Sequence, residues 1–230
     1  MQTIWITGGS SGIGFATAKE FLSNGWQVVI SSSNKEKLEN AKNRLIDLKH
    51  DGKLHIVPCD ISKIKDVNNT IDYIETKLGK INIALLNASA YSPNKDQIFD
   101  INNYELLVDV NIKGTLFCVN RLKDYMSGRN NTIAIISSPL GYRGWPTAGA
   151  YGISKAAQLS LSESLYFDFK KLNINVRVIC PGFIDTEATR KNSFKMPFLK
   201  SAEYAGKKIF DRLTKGKEFE IIFPYLIVYF

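Results

Sequence analysis

Short apolar runs recur along the chain, each followed by a longer stretch whose apolar positions fall three or four apart. The runs are TIWIT (3–7), QVVIS (27–31), LHIVPCD (54–60), IALLNA (83–88), TIAIISS (132–138), INVRVICP (174–181) and FEIIFP (219–224). Unbroken runs of this length, rich in Ile and Val, predict strands covered on both faces. Between them, Leu38, Ala41, Leu45 and Leu48 mark a helical face over 35–50, and Val67, Ile71, Ile74 and Leu78 another over 62–78. A helix over 14–24 stops at Gly25, the residue type that closes helices in a left-handed turn. Further helices are predicted near 102–127, 149–171 and 201–214. This alternation predicts a three-layer α/β fold, a doubly wound parallel sheet in a single domain spanning 1–230. Ligands of such sheets sit at the carboxyl ends of the strands.

Composition narrows the partners. The chain has 230 residues, 44% hydrophobic and 23% charged, which suits one domain with a single core. A net charge of +8 would suit an anionic partner, but the lysines are dispersed (Lys35, Lys37, Lys42, Lys49, Lys53, Lys63, Lys65) and no run of five like charges occurs. Without a basic stripe interleaved with aromatics, a nucleic-acid-binding domain is disfavoured. Cys59, Cys118 and Cys180 stand far apart in or beside apolar runs, and the only histidines are His50 and His55. That pattern argues for buried thiols in a reducing cytoplasm and against disulfides or a metal site. The N-terminal MQTIWITGGSSG lacks the features of a signal peptide, and no apolar run reaches the ~18 residues of a membrane span.

The first chemical signal is TGGSSGIG (7–14), set between the first strand and the first helix. A turn here needs glycine where the backbone bends sharply and where it approaches a pyrophosphate. The helix start then offers free N–H groups and a partial positive charge. Gly8, Gly12, Ile13 and Gly14 form that turn and helix start, with Ser10 and Ser11 as added donors. A tight turn without a ligand is the alternative. The spacing is not GxGxxG and lacks the Gly-Lys-Ser/Thr of a P-loop, which disfavours a nucleoside triphosphatase.

The second signal is AYGISKAAQL (150–159). Tyr151 and Lys155 lie one helical turn apart on a shared face, so a lysine charge is placed to stabilise a phenolate. A free tyrosine titrates near ~10, too high for efficient proton transfer at neutral pH without such help. Taken alone, a Tyr–Lys pair on a helix also occurs as ordinary surface packing. Ser138 could equally end a strand, and Asn111 could be a local cap or a bonded core amide.

From TGGSSGIG to PGFIDT (181–186) the chain resembles the short-chain dehydrogenase/reductase family, through CDIS (59–62), LNASA (86–90), VNIKG (110–114), ISS (136–138) and YGISK (151–155) in order. The resemblance implies a Rossmann-like fold and an NAD(P)-dependent enzyme that interconverts carbonyls and alcohols. It implies that Tyr151 is the general acid or base, and that Ser138 holds the substrate oxygen. It further implies that Lys155 binds the nicotinamide ribose, and that Asn111 holds a water linking Lys155 to solvent. Asp60, with Ile61 beside it, would lie near the adenine, and Asn87 and Ala88 near the ribose. Pro181, Gly182, Ile184 and Thr186 would lie beside the nicotinamide. A non-catalytic dinucleotide sensor on the same fold is the rival reading, its expected sign being loss of the serine, tyrosine or lysine.

Two positions depart from the family pattern. Ser89 replaces a glycine, adding a Cβ where the backbone should lie close to the ribose. At the end of the second strand, Ser32 stands where NAD-preferring relatives carry an acid, and Ser33 where NADP-preferring ones carry arginine. Hydroxyls at Ser32 and Ser33, with Asn34 and Lys35 behind them, suit a 2′-phosphate better than its exclusion, so NADP(H) is favoured over NAD(H). Residues 187–210 are expected to form a substrate lid. Phe194, Met196, Phe198 and Leu199, with Pro139, Leu140, Tyr142 and Trp145, point to a small-molecule substrate with apolar surface. The apolar tail 225–230 suggests burial in a homodimer or homotetramer, or a membrane-surface contact.

Overall fold

The computed structural model describes residues 1–46, 52–92 and 99–224. Its strands are β1 (Thr3–Thr7), β2 (Gln27–Ser31), β3 (Lys53–Ile56), β4 (Ile81–Leu86), β5 (Asn131–Ile136), β6 (Ile174–Pro181), β7 (Ile184–Asp185), β8 (Lys200–Ser201) and β9 (Glu220–Phe223). Seven of them form one parallel sheet in the order β3-β2-β1-β4-β5-β6-β9, and β7 pairs separately with β8. Helices α1 (Gly12–Ser23), α2 (Lys35–Ile46), α3 (Ile64–Tyr73), α4 (Ile101–Leu107), α5 (Gly114–Met126), α6 (Gly149–Lys170) and α7 (Ala202–Lys215) cover its faces. Each expected strand forms, and the layers are those expected from the unbroken apolar runs.

The two faces carry separate cores because successive strand residues point to opposite sides. Ile4 and Ile6 of β1 pack with Phe21, Leu45, Ile209 and Phe210, whereas Trp5 packs with Ile71, Leu122 and Met126. The strand order reverses between β1 and β4, and the crevice at their carboxyl ends is where such sheets bind ligands.

Several boundaries differ from the sequence expectation. β3 ends at Ile56, although Val57 N–H and Cys59 N–H still bond the Ile30 and Ser32 carbonyls. Pro58 between them falls at a position whose N–H would face away from β2, which an edge strand tolerates. The helix expected over 35–50 is seen over Lys35–Ile46, and its last residues lie outside the described ones. The segment 102–127 is two α-helices joined by a wide π-type turn at Val108–Lys113, which carries the buried Asn111. The last nine residues of 187–210 belong to α7, whose Ala205, Ile209 and Phe210 are buried. A Cβ on Gly206 would sit 2.6 Å from the Ala16 carbonyl carbon, so α7 lies closely against α1. β9 forms one edge of the sheet, as expected for a strand followed by Pro224; the tail 225–230 lies outside the described residues.

Candidate active site

Backbone sterics explain the glycines of the first turn. Gly8 (φ 63°) and Gly12 (φ 53°) adopt the left-handed conformation that other residues avoid. A Cβ on Gly14 would meet the Gly8 carbonyl oxygen at 2.5 Å. The turn is then tied to β4. Asn87 Nδ2 donates to the Thr7 and Gly8 carbonyls at 3.0 and 3.1 Å. The Thr7 hydroxyl accepts from the Asn87 and Ala88 N–H groups at 2.9 and 3.0 Å. Ser11 is the N-cap of α1 without capping it through its side chain, and no acid occupies the first turn. The helix start therefore keeps its positive end for an anion.

This turn forms one end of a cavity of about 860 Å³ that runs along the carboxyl ends of the strands. Ser32 and Ser33 line it beyond β2, and the Ser10 and Ser32 hydroxyls bond at 3.1 Å. Asp60 and Ile61 line the same end. Burial raises the Asp60 carboxyl, but hydrogen bonds from the Ser62 hydroxyl and backbone and from Lys63 outweigh this and hold it below its usual range. Ser89 is exposed and its hydroxyl donates to the Ala90 carbonyl at 3.2 Å. Its φ lies outside the left-handed region, so its backbone does not demand a glycine.

The other end carries Ser138, Tyr151 and Lys155. The Ser138 side chain starts a 3₁₀ turn, accepting from Leu140 N–H at 3.3 Å, and also bonds Tyr151. Tyr151 sits on the first turn of α6, beneath the ring of Tyr91 (centroids 4.9 Å, interplanar angle 82°). Burial, and next the neighbouring Tyr91, raise its pKa, against the pull of the Ser138 bond. Lys155 lies one turn on, its Nζ 5.4 Å from the Tyr151 ring centroid. Burial lowers the Lys155 pKa to about 7. Helical spacing led to the expectation that the lysine charge depresses the tyrosine; in the cavity, desolvation dominates both groups. The helix start is held in place by Ser137 Oγ donating to the Lys155 carbonyl at 2.8 Å. Ser154 Oγ likewise accepts from Asn111 Nδ2 at 3.0 Å.

Three of the predicted catalytic and cofactor-binding residues do not line the cavity, Gly14, Asn34 and Asn111, and neither does Lys35. Gly14 lies beneath the turn. Asn34 accepts Lys37 N–H at 2.8 Å and so begins α2. Asn111 is fully buried, its side chain accepting from Ala90 N–H at 2.7 Å and donating to the Ala90 carbonyl at 3.1 Å. The remaining predicted residues do line it, including Pro181, Gly182, Ile184 and Thr186, the last with its methyl 3.1 Å from where a Gly12 Cβ would stand. Pro139, Leu140, Tyr142, Trp145 and Phe194 form its outer wall; Met196, Phe198 and Leu199 do not join it. Sequence reasoning missed Tyr91, Phe183 and Gln158. Tyr91 bonds Asn192 of the segment after β7, and Phe183 stacks on Trp145 (centroids 6.3 Å, interplanar angle 19°). Of the three, Gln158 had a legible signal, a polar residue one turn beyond Lys155 on the same helix.

A glycine turn on a helix start and a serine–tyrosine–lysine wall in one cavity fit a dinucleotide and define an oxidoreductase of the dinucleotide-dependent α/β class. A family model described as short chain dehydrogenase matches residues 2–196, and the chain belongs to that family, which acts on CH–OH and C=O groups. Among its relatives, an uncharacterized oxidoreductase of Staphylococcus aureus (strain MW2) is 30% identical over 188 residues, covering 80% of this chain and 78% of the relative. A 3-oxoacyl-(acyl-carrier-protein) reductase of Rickettsia bellii (strain RML369-C) is 32% identical over 192 residues, covering 83% and 76%. The fold is shared with a short-chain dehydrogenase from Sphingobium yanoikuyae in complex with NADPH (TM-score 0.86, 21% identity, 98% of this chain and 89% of that one). It is shared also with an alcohol dehydrogenase from Thermococcus sibiricus complexed with 5-hydroxy-NADP (0.86, 18%, 96% and 95%). No helix among the described residues is long and apolar enough to cross a membrane.

Proposed function

We propose that the protein is an NADPH-preferring carbonyl reductase or alcohol dehydrogenase of the cytoplasm, acting on small molecules with apolar surface. The observation that carries this reading is the convergence of Ser138, Tyr151 and Lys155 on the cavity that the glycine turn opens. Gly8, Gly12 and the start of α1 hold the pyrophosphate, and Lys155 with the Asn87–Ser89 backbone holds the nicotinamide ribose. When bound, the nicotinamide supplies the hydride. Ser138 donates to the substrate carbonyl oxygen and Tyr151 passes its phenolic proton to it. Burial raises the Tyr151 pKa, so the residue enters reduction as a phenol with a proton to give. A non-catalytic sensor would not need this wall, and all three of its residues are present.

For the cofactor, Ser10, Ser32 and Ser33 offer hydroxyls where a 2′-phosphate would lie, and the cavity's Glu187 is paired with Lys37 at 2.6 Å. The NADPH complex of the Sphingobium relative supports the same choice. A panel of aldehydes, ketones and 3-oxoacyl compounds should yield turnover with kcat/KM for NADPH at least about tenfold above NADH, some 1.4 kcal/mol of discrimination. A preference for NADH overturns the cofactor reading.

The aromatic wall of Trp145, Phe183 and Phe194 would receive the apolar part of the substrate. The lid narrows to residues 187–199, because 202–210 belong to α7; its attachments across the cavity are Tyr91 to Asn192 and Lys37 to Glu187.

A homodimer or homotetramer would cover apolar residues that α4, α5 and α6 leave exposed: Leu106, Leu116, Ile153 and Phe167, the last 70% exposed. Ile153 and Phe167 share one face of α6, fourteen residues or about four turns apart. Phe167→Glu should reduce the sedimentation coefficient to that of a monomer; an unchanged coefficient places the interface elsewhere.

A further inference from the structure

Behind the tyrosine and lysine, α6 carries a glutamine whose every polar atom is engaged. Gln158 is 2% exposed. Its Oε1 accepts from Lys155 Nζ at 2.8 Å. Its Nε2 donates to the Asn111 carbonyl at 3.0 Å and to the Thr115 hydroxyl at 2.9 Å. The Thr115 hydroxyl in turn donates to the same Asn111 carbonyl at 2.7 Å. That carbonyl oxygen has two lone pairs, and both are used. Lys155 Nζ carries three hydrogens, of which one goes to Gln158 and one to the Ile136 carbonyl at 2.9 Å. One remains for the cavity side, where Tyr151 lies.

We propose that Gln158 is a positioning residue for Lys155: its carboxamide ties the ammonium to the Asn111 carbonyl and so fixes where the ammonium lies beside Tyr151. The inference rests on the assignment of Tyr151 and Lys155 to catalysis. An amide donates and accepts hydrogen bonds but passes a proton on only through an imidic acid form. A carboxamide therefore fixes geometry at this point without conducting protons.

The test is the titration of Lys155 in protein labelled with ¹⁵N at lysine Nζ, its resonance assigned by loss in Lys155→Met. The titratable groups facing Lys155 are Tyr151 on its own helix and Cys180 on β6, so the titration is followed by the lysine nitrogen itself. Wild type should titrate near its depressed value of about 7. In Gln158→Leu the charged form loses an acceptor, and the midpoint should fall by about one unit, with faster ammonium hydrogen exchange at fixed pH. In Gln158→Glu a carboxylate faces the ammonium, and the midpoint should rise by about one unit or more. The glutamate variant is close in size and decides the matter if the leucine variant does not fold. Midpoints unmoved in both, or moved in the same direction, overturn the proposal. Because this readout needs no substrate, it stands apart from turnover by Tyr151→Phe, which tests the catalytic assignment alone.

Discussion

Tyr151→Phe is expected to lower kcat for carbonyl reduction on the order of 10²–10⁴-fold while leaving NADPH affinity within about twofold of wild type. The substitution removes one oxygen and its proton. The ring remains, and with it the edge-to-face contact with Tyr91 at 4.9 Å and the place of the Lys155 ammonium 5.4 Å away. Nothing in the glycine turn or the Asn87 anchors touches that oxygen, so the dinucleotide end should not respond. Burial raises the Tyr151 pKa, so in the proposed reduction its role would be to give its proton away. Ser138 bonds Tyr151 and can hold the substrate oxygen, but a serine hydroxyl is too weak an acid to take over the step. Single-turnover NADPH consumption, with NADPH binding followed by fluorescence, separates the two effects. Turnover retained within tenfold of wild type would place the proton donor elsewhere and leave the dinucleotide assignment standing.

What was legible in the sequence follows from which forces act locally. The seven sheet strands announced themselves because a parallel sheet covered on both faces requires apolar runs, although the edge strands β3 and β9 are only partly buried. The glycine turn was legible because its constraints are steric and carried by the backbone itself, as φ 63° at Gly8 and φ 53° at Gly12 show. Tyr151 and Lys155 were legible as a pair because helical spacing alone puts them on one face. Contacts closed over long sequence separations were not. Tyr91 meets Tyr151 across sixty positions and Asn192 across a hundred and one. The structure places Asn34 at the start of α2 and Asn111 in a buried turn, contacts that the sequence did not announce. An asparagine reads alike in sequence whether it caps a helix, staples a buried turn or faces a ligand. At Ser89, where the family pattern has a glycine, the backbone φ is one that any residue adopts, so the departure from that pattern costs no backbone strain.

Gly14→Ala is expected to cost both stability and cofactor affinity, although the residue does not line the cavity. The added Cβ would lie 2.5 Å from the Gly8 carbonyl oxygen and 2.6 Å from Asn87 Nδ2. Neither neighbour can yield cheaply. The Gly8 carbonyl belongs to the turn itself, and Asn87 is held by bonds to Thr7 and Gly8 at both its amide and its backbone. Relief therefore requires α1 to move away from the turn or the Asn87 anchor to open. Overpacking of this kind costs about 1–3 kcal/mol, which lowers Tm by roughly 2–4 °C per kcal/mol in a chain of this size. In the proposed function, the displaced groups are the ones that would position the helix start over the pyrophosphate. The dissociation constant for NADPH should therefore rise at least about tenfold, equivalent to some 1.4 kcal/mol. Gly25→Ala is the control. Gly25 has φ 76°, but a Cβ added there would meet nothing within 4 Å, so the variant should lose stability through backbone strain alone and bind NADPH as wild type does. If both variants weaken NADPH binding equally, the loss reports general destabilisation. If only Gly14→Ala does, the turn is acting as the dinucleotide cradle.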